Sequence, residues 1–354
     1  MLYPLSYGRV QADYSNPAHG KQKLASPFVI IEPTWIDRHF LPREEAIRPL
    51  VVGTRGSSLA LIQTNRVVDA LQQRRPAQEF LVHTIQTLGD RRHDVPLREF
   101  GKTGIFVKEI DRLLLDGAID LAVHSLKDVP PDEPPELVLA AFPERADPRD
   151  AIVSRNGETF AELPPGARVG TSSTRRQAQL RALRSDLVFR DDLRGNVDTR
   201  IHKLRQGQYD AIVLAAAGLD RLGRGTEIAE RLAVEDCLPD AGQGSLVVQT
   251  RADDHEVREL VATIDDPAVR AVSLAERAVL DAFGGGCKVP VAAYAELQGR
   301  ELDLRGLVAT VDGTRIVRAR QRGSIDRPVE LGQALWRELV AAGAGEILAV
   351  ASRG

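Results

Sequence analysis

The sequence predicts an α/β fold with two α/β domains of related design and a smaller α+β domain at the C-terminal end. From residue 49 onward, short apolar runs alternate with segments of helical periodicity, which is typical of a parallel sheet with helical crossovers. A strand, a Gly-Thr pair, a serine and a helix follow one another in LVVGTRGSSLALIQTN and again in ARVGTSSTRRQAQLRAL. Near the C-terminus, alternating apolar runs precede one amphipathic segment, which indicates antiparallel strands and a helix.

The first domain is predicted over residues 49–145 and 243–263. LVVGT (50–54) is a short apolar strand, and Ser57 or Ser58 can cap the helix after it. EFLVHTIQT predicts the next strand, GIFVKEIDRLLLDG a helix and IDLAVH a buried strand. AGQGSLVVQTRADD then adds a loop, a strand and the start of a helix.

The second domain is predicted over 146–242 and the third over 264–354. PERADPRD marks the connection into the second domain by its prolines and charges, and GQYDAIVLA there echoes the earlier GAIDLAVHS. The third domain opens on DPAVRAVSLAERAVLDAF, a helix that Asp265 or Asp266 can cap. Residues 1–48 show no sustained periodicity, so we expect a poorly ordered N-terminal extension.

Composition narrows the possible partners and compartments. The 354 residues carry a formal net charge of −3, which argues against a protein that coats nucleic acid by bulk charge. Two cysteines exclude a disulfide scaffold and a multi-cysteine metal site. No apolar run approaches the ~20 residues of a membrane span, and the N-terminus lacks a secretory pattern. We therefore expect a cytoplasmic protein, and nothing in the sequence demands more than a monomer.

Arginine outnumbers lysine by 40 to 7. A GC-rich genome accounts for a general excess of this kind, so position has to show which arginines matter. Both Gly-Thr turns, GTRGS and GTSST, place backbone N–H groups and arginine at a helix N-terminus, an arrangement that suits an anion. A capped helix with surface arginines is the simpler alternative. LRGNVDTR adds Arg194 and Arg200 around another turn, and the recurrence favours anion sites that face each other across a cleft.

Two further motifs carry reactive groups. In HSLKDVP, Asp128 beside Lys127 follows a buried strand, where a carboxylate could stabilise a cation and move protons; the alternative is an ordinary capped turn. In GGGCKVP, three glycines leave Cys287 accessible and Lys288 favours its thiolate; the alternative is an incidental surface cysteine. Cys237 is interpreted as an ordinary small residue. The AGQGS loop lacks the spacing of a phosphate-binding motif.

Taken in order, these motifs resemble one family, porphobilinogen deaminase (hydroxymethylbilane synthase), from about residue 49 to the C-terminus. The resemblance rests on GTRGSSLAL, GIFVKEID, DLAVHSLKDVP, ERADPRDA, VGTSSTRRQAQL, LRGNVDTR, YDAIVLAAAGL, LPDAGQGS, AERA and GGGCKVP. It implies that the two α/β domains have a periplasmic-binding-protein-like topology. It also implies a transferase of tetrapyrrole biosynthesis that joins four porphobilinogen molecules, with loss of ammonia, into hydroxymethylbilane.

The resemblance assigns roles to individual positions. Asp128 matches the catalytic aspartate, and Cys287 matches the cysteine that holds a dipyrromethane cofactor through a thioether. The cofactor-binding positions would be Lys127, Ser173, Arg175, Arg176, Arg194 and Gly195. The substrate-binding positions would be Arg55, Ser57, Gln63, Phe106, Arg200 and Lys102.

One position departs from the family pattern. Where the family commonly has Lys, this chain has Thr103, with Lys102 one residue earlier. Either Lys102 takes over the anion contact, or the loop closes over the substrate differently.

Two other classes of protein compete with this interpretation. Two such domains also form binding proteins for anionic small molecules, and the arginine-rich helix at 175–184 could contact nucleic acid. The cysteine on its glycine loop and the net charge of −3 favour the enzyme. We therefore expect porphobilinogen as the partner, with neither nucleic acid nor membrane and no metal.

Overall fold

The computed structural model describes residues 47–87, 107–284 and 289–351. The strands, in chain order, are β1 Leu50–Arg55, β2 Phe80–Ile85, β3 Leu121–Ser125, β4 Leu137–Ala141, β5 Asp150–Ser154, β6 Arg168–Gly170, β7 Val188–Arg190, β8 Ala211–Ala215, β9 Glu230–Arg231, β10 Leu246–Arg251, β11 Val291–Gln298, β12 Glu301–Ala309 and β13 Ile316–Ser324. The α-helices are α1 Ser58–Arg74, α2 Lys108–Leu115, α3 Thr174–Leu183, α4 Val197–Arg205, α5 Ala216–Arg221, α6 His255–Ala262, α7 Pro267–Phe283, α8 Pro328–Leu339 and α9 Gly345–Ala351. The prediction for residues 1–46 lies outside the described part of the chain.

The first lobe is built on a five-stranded sheet in the order β2-β1-β3-β10-β4. β1 lies parallel to β2 and β3, whereas β10 runs antiparallel to β3 and β4. Helices α1 and α6 pack on one face through Val67, Leu71 and Leu260, and α2 covers the other through Ile110 and Leu114. Apolar side chains on both faces explain why these strands read as continuous hydrophobic runs in the sequence.

The second lobe repeats this design in the order β7-β6-β8-β5-β9. The parallel strands β7, β6 and β8 correspond to β2, β1 and β3, and antiparallel β5 takes the position of β10. The carboxylate of Asp120 accepts from Val51 N at 2.8 Å, and that of Asp210 accepts from Arg168 N at 2.9 Å. The two lobes are therefore of related design, as the recurring motifs predicted.

The glycine of each Gly-Thr pair is required by packing. A Cβ at Gly53 would collide with the side chain of Ile119, and one at Gly170 would lie 2.8 Å from the ring of Tyr209. In both lobes the residue that blocks it lies just before the parallel strand that pairs with β1 or β6 on the side away from β2 or β7, namely β3 in the first lobe and β8 in the second. The recurring glycine thus reflects the repeated architecture and not the chemistry of a ligand.

The third lobe is an antiparallel sheet in the order β11-β12-β13, packed on α7 and α8. Asp266 caps α7 by accepting from Ala268 N and Val269 N, and the helix ends at Gly284 with φ 73°. The α/β fold class with a smaller α+β unit at the C-terminal end is confirmed.

Two chain segments connect the first and second lobes and lie side by side. Ala146 N donates to Gly244 O at 3.0 Å, and Leu246 N donates to Glu144 O at 3.0 Å. Gly244 has φ 89°, and a Cβ there would collide with Ala146 O, so the close approach needs glycine.

A buried glutamate of α7 fixes this connection to the third lobe. Glu276 accepts from Arg145 Nη1 at 2.8 Å, from Gly242 N at 2.7 Å and from Ala295 N at 2.7 Å. Its side chain is fully buried and that of Arg145 is 11 % exposed. One carboxylate therefore joins both connecting segments to the C-terminal sheet.

Glu276→Ala is expected to lower the free energy of unfolding by about 3–5 kcal/mol, because it leaves the Arg145 guanidinium buried without its counter-ion. Urea unfolding followed by circular dichroism measures this. Asp326→Ala is the control: Asp326 also pairs with an arginine, Arg300, but both side chains are exposed, so little change is expected. A Glu276 variant as stable as the control would contradict the assigned role.

Candidate functional site

A cavity opens at the carboxyl ends of β1 and β3 in the first lobe. Its walls come from the end of β1, the first turns of α1 and the segment after β3. Of the positions singled out in the sequence, the structure brings together Arg55, Ser57, Gln63 and Asp128 here. Ser57 caps α1 by accepting from Ala60 N at 3.3 Å, which fixes where the helix begins.

Asp128 ends a single 3₁₀ turn, Leu126–Asp128, directly after β3. Its Oδ2 lies 3.6 Å from Nη1 of Arg55, and the two side chains are 33 % and 23 % exposed. Arg55 stands at the end of the neighbouring strand β1, so the parallel pairing of β1 with β3 brings the two groups together. The carboxylate is thus reachable from the cavity and has a cation beside it.

Two residues of the HSLKDVP motif complete this wall. Ser125 and Gln63 are hydrogen-bonded through their side chains at 2.9 Å. His124 lies against Gln249, with Nε2 and Oε1 3.1 Å apart. Burial, with a contribution from Arg55, lowers the pKa of His124 to about 4. The imidazole is therefore neutral near pH 7 and adds no charge to the cavity.

In the second lobe, Ser173 caps α3 by accepting from Arg176 N at 3.4 Å. Arg175 and Arg176 lie within the first turn of α3, and both side chains are buried. Nη1 of Arg175 donates to Asp150 Oδ2 at 2.7 Å, and Nη2 of Arg176 donates to Asp150 Oδ1 at 2.7 Å. One fully buried carboxylate at the start of β5 therefore orients two arginines.

Gln243 links this cluster to the first lobe. Its side-chain amide donates to Asp150 Oδ1 at 2.9 Å, and its Oε1 accepts from Lys127 Nζ at 3.2 Å. Lys127 as a whole residue is exposed, but its ammonium lies against the side chain of Gln243. Desolvation of the ammonium, and secondarily the charge of Arg176, lower the pKa of Lys127. The lysine next to Asp128 is thus electrostatically coupled to both lobes.

Gly195, Arg194 and Arg200 lie around the start of α4, which Asn196 caps. Arg200 Nε donates to Gly195 O at 2.8 Å. Gly195 has φ 105°, and a Cβ there would lie 2.7 Å from Cβ of Thr199, so the turn requires glycine. Burial lowers the pKa of Arg200 to about 10, with Arg176 and Arg194 adding to this effect, while Asp128 opposes it.

These positions create an excess of positive charge between the lobes. In addition to burial, the charges of Arg176 and Arg194 repel the guanidinium of Arg200 and lower its pKa, whereas Asp128, on the opposite side of the cleft, raises it. Such a site attracts carboxylates, which can neutralise several cations at once through charge-assisted hydrogen bonds. The described residues hold no group of three or more His, Cys, Asp or Glu side chains that could bind a metal ion.

Four sequence-based predictions lie outside the described residues. They are the cofactor cysteine Cys287, the substrate-binding positions Lys102 and Phe106, and the departure at Thr103.

The structure adds members that the sequence reasoning did not assign. From the sequence, Asp150 is only part of the charged connection PERADPRD, and Gln243 is only part of the AGQGS loop, to which no role was given. The sequence did contain a signal for Asp150, which is the first residue of an apolar strand. Burial of a single carboxylate there costs free energy unless cationic side chains pair with it. Gln243 offered no comparable signal, since its partners come from three distant segments.

In comparisons with known families, the model described as "Porphobilinogen deaminase, dipyromethane cofactor binding domain" matches residues 50–259. The model of the porphobilinogen deaminase C-terminal domain matches residues 271–341. The match to the first of these confirms the predicted dipyrromethane cofactor.

Named relatives agree with these matches. A porphobilinogen deaminase of Roseiflexus sp. (strain RS-1) is 55% identical over 300 residues, which cover 85% of this chain and 98% of the relative. One of Bordetella parapertussis is 51% identical over 307 residues, covering 86% of this chain and 96% of the relative.

Solved structures give a weaker likeness. The aliphatic sulphonate binding protein SsuA of Escherichia coli aligns with a TM-score of 0.36 and 13% identity, over 67% of this chain and 70% of its own. The arginine-specific periplasmic binding protein STM4351 of Salmonella typhimurium aligns with a TM-score of 0.35 and 15% identity, over 64% and 93%. Scores at this level carry no argument about ligand or activity.

The matched residues include the motifs on which the resemblance rested, and they span both α/β lobes and most of the third. The members of this family are transferases of tetrapyrrole biosynthesis, also called hydroxymethylbilane synthases. No α-helix in the described ranges is long and apolar enough to cross a membrane. The chain belongs to the porphobilinogen deaminase family.

Proposed function

We propose that the cleft between the first and second lobes carries out the condensation of porphobilinogen, with Asp128 as its catalytic carboxylate. The observation that supports this most is the position of Asp128. Its side chain borders the cavity, 3.6 Å from Arg55 and within electrostatic reach of Arg200 on the opposite lobe.

The chemistry of the substrate explains why a carboxylate is needed there. When ammonia leaves the aminomethyl carbon of porphobilinogen, the remaining pyrrole carries positive charge. A fixed carboxylate close to the pyrrole N–H stabilises that charge, and it can accept the proton released when two rings couple. The neutral His124 behind it adds no competing cation.

The surrounding cations and donors would hold the acetate and propionate groups of the pyrroles. Arg55, Ser57 and Gln63 in the first lobe and Arg200 in the second form the substrate side. Arginine suits this work because its planar fork pairs with both oxygens of a carboxylate.

The dipyrromethane would lie against the second lobe. Its carboxylates would be held by Lys127, Ser173, Arg194, the backbone at Gly195, and Arg175 and Arg176. The positive charge at these positions fits a group with several carboxylates, although Asp150 already engages part of the Arg175 and Arg176 donors. When bound, this group supplies the ring to which the first porphobilinogen is joined.

The mass of the intact protein tests the proposal. Protein purified from a cell that makes haem is expected to exceed its sequence mass by one dipyrrole, and Cys287→Ala is expected to lose that excess. Cys237→Ala is the matched control and should retain it, since Cys237 is buried beside Asp150, where burial raises the pKa of its thiol to about 12. Purified protein without the added mass would contradict the enzyme and favour a binding protein for anions.

We also propose the organisation that surrounds this site. Three domains would span 49–145 with 243–263, 146–242, and 264–354, and the chain would act as a cytoplasmic monomer without bound nucleic acid. The placement of β10 in the first sheet and β5 in the second supports the split of the first domain. Light scattering of the purified protein tests whether it is a monomer. The ratio of nucleic-acid to protein absorbance tests the absence of nucleic acid, and cell fractionation tests the compartment.

A further inference from the structure

An arginine of the third lobe donates hydrogen bonds to the backbone of the segment that follows Asp128. Nη1 of Arg277, on α7, donates to Val129 O at 3.0 Å, and Nη2 donates to Pro130 O at 3.0 Å. Arg277 is buried, and about 150 residues of sequence separate it from these carbonyls. Two consecutive peptide groups next to Asp128 are therefore fixed by one planar side chain.

The other end of the 3₁₀ turn is fixed as well. Leu126 N donates to Ser245 O at 3.0 Å, and Val129 N donates to Leu126 O at 3.0 Å. The side chains of Leu126 and Val129 are buried in one apolar cluster. Asp128 thus lies between two anchored residues, and the Arg277 contacts determine where the second of them sits.

Glu133 completes the arrangement around the guanidinium. Its Oε1 accepts from Arg277 Nη2 at 2.5 Å, and the two side chains are 16 % and 9 % exposed. The segment from Val129 to Glu133 therefore wraps around Arg277. Because Glu133 neutralises the buried guanidinium, it allows Arg277 to remain in this position.

We propose that Arg277 and Glu133 form a positioning pair that holds Asp128 at the distance the condensation requires. This inference rests on the proposed catalytic role of Asp128. Neither residue lines the cavity that contains Asp128, so both would act through the backbone of residues 129 and 130. A shift of about 1 Å in a reacting group can cost about 100-fold in rate.

The charge state of Glu133 gives the pair a recognisable signature. Burial raises the pKa of Glu133 to about 7, and Asp111 on α2 and Asp281 on α7 add to this, while Arg277 opposes it. As the pH falls through 7, Glu133 becomes neutral, and Arg277 loses its hydrogen-bonded carboxylate and keeps only the attraction of Asp281. We expect kcat to decline in the same range.

Two variants test the pair in the full-length holoenzyme. Arg277→Lys keeps the charge but cannot bridge two carbonyls and a carboxylate, so kcat is expected to fall about 10- to 100-fold with KM little changed. Glu133→Gln keeps a hydrogen-bond acceptor but cannot ionise. Its kcat is expected to remain near the low-pH value of the parent, without the change around pH 7.

Arg270→Lys is the matched control. Arg270 lies on the same helix and also joins a carboxylate to a carbonyl: Nη2 donates to Asp265 Oδ1 at 2.9 Å and to Ala140 O at 2.8 Å. These contacts do not touch the Asp128 segment, so kcat and its pH profile should be retained even if stability falls.

The proposal is overturned if Arg277→Lys and Glu133→Gln behave like this control, with lower stability but unchanged kcat and pH profile. If Arg277→Lys does not fold, the pH profile of Glu133→Gln decides. Asp128→Asn, assayed in parallel, separates the two levels of inference. Activity retained in that variant would refute the catalytic assignment, whereas activity lost only there would refute the positioning pair alone.

Discussion

Asp128→Asn is expected to lower kcat by about 10²- to 10⁴-fold, the range that a positioned acid or base contributes. Asparagine has almost the same shape, but it carries no charge to stabilise a cationic pyrrole and accepts no proton at neutral pH. Arg55 and Arg200 remain to bind the substrate carboxylates, so KM should change little. Release of ammonia from porphobilinogen under single-turnover and steady-state conditions measures both quantities.

Loss of fold would not explain this result. The Asp128–Arg55 pair is partly exposed and 3.6 Å long, so its contribution to stability is at most about 1 kcal/mol. Asp132→Asn is the control, because Asp132 is an exposed carboxylate only four residues further along the same segment. Asp128→Asn with the parent kcat, or a loss shared equally by Asp132→Asn, would refute the assignment.

Asp150→Ala is expected to reduce the free energy of unfolding by about 3–5 kcal/mol, because two arginine side chains are then buried without their shared counter-ion. The fully buried carboxylate accepts from both guanidiniums and from the amide of Gln243. Activity should fall as well, since Lys127 reaches this cluster through the same glutamine. Urea unfolding and the ammonia assay measure the two effects.

The pH dependence of this loss follows from the charge on Asp150. Burial alone would raise the pKa of its carboxyl, but Arg175 and Arg176 hold the pKa well below its usual range. A carboxyl group whose pKa is lower in the folded state stabilises the fold fully at a pH above its pKa in the unfolded chain, about 4. This stabilisation is lost as the pH falls towards the pKa of the group in the folded protein. The difference in unfolding free energy between the parent and Asp150→Ala should therefore be constant from neutral pH down to about 5 and narrow below about 4.

Asp186→Ala is a suitable comparison for Asp150→Ala. Asp186 also pairs with an arginine at 2.7 Å, but its side chain is 41 % exposed, so solvent replaces the interaction at little cost. If Asp150→Ala were no less stable than Asp186→Ala, the buried cluster could not be the element that holds Arg175 and Arg176.

Local sequence patterns were sufficient to predict the fold class, because each pattern depends only on residues that are close together in the chain. Apolar runs predicted β1, β3 and β8, and a serine before an apolar period predicted a cap at Ser57 or Ser58, of which the structure has Ser57. The recurrence of Gly-Thr and of Gly-x-x-Asp indicated two related lobes, because the same packing demands a glycine at Gly53 and at Gly170. These signals needed no knowledge of which segments meet in space.

The candidate site was predictable in outline, since matching motifs identified Arg55, Ser57, Gln63 and Asp128, which do line one cavity. The sequence did not show that Arg175 and Arg176 are buried against Asp150. It also did not show that Glu276 joins the connecting segments to the third lobe. These contacts link residues 25 to 131 positions apart, and burial of a charge depends on what covers it.

Residue order alone therefore established the α/β class, the related lobes and the residues able to carry the family's chemistry. Only the tertiary structure decided which charges satisfy one another inside the protein and which remain available to a ligand. The physical reason is the distance dependence of electrostatics. Charges interact strongly only at short range, so packing determines which charged residues that are distant in sequence form a pair. Arg277 lies next to the segment after Asp128 because α7 of the third lobe packs against the first lobe.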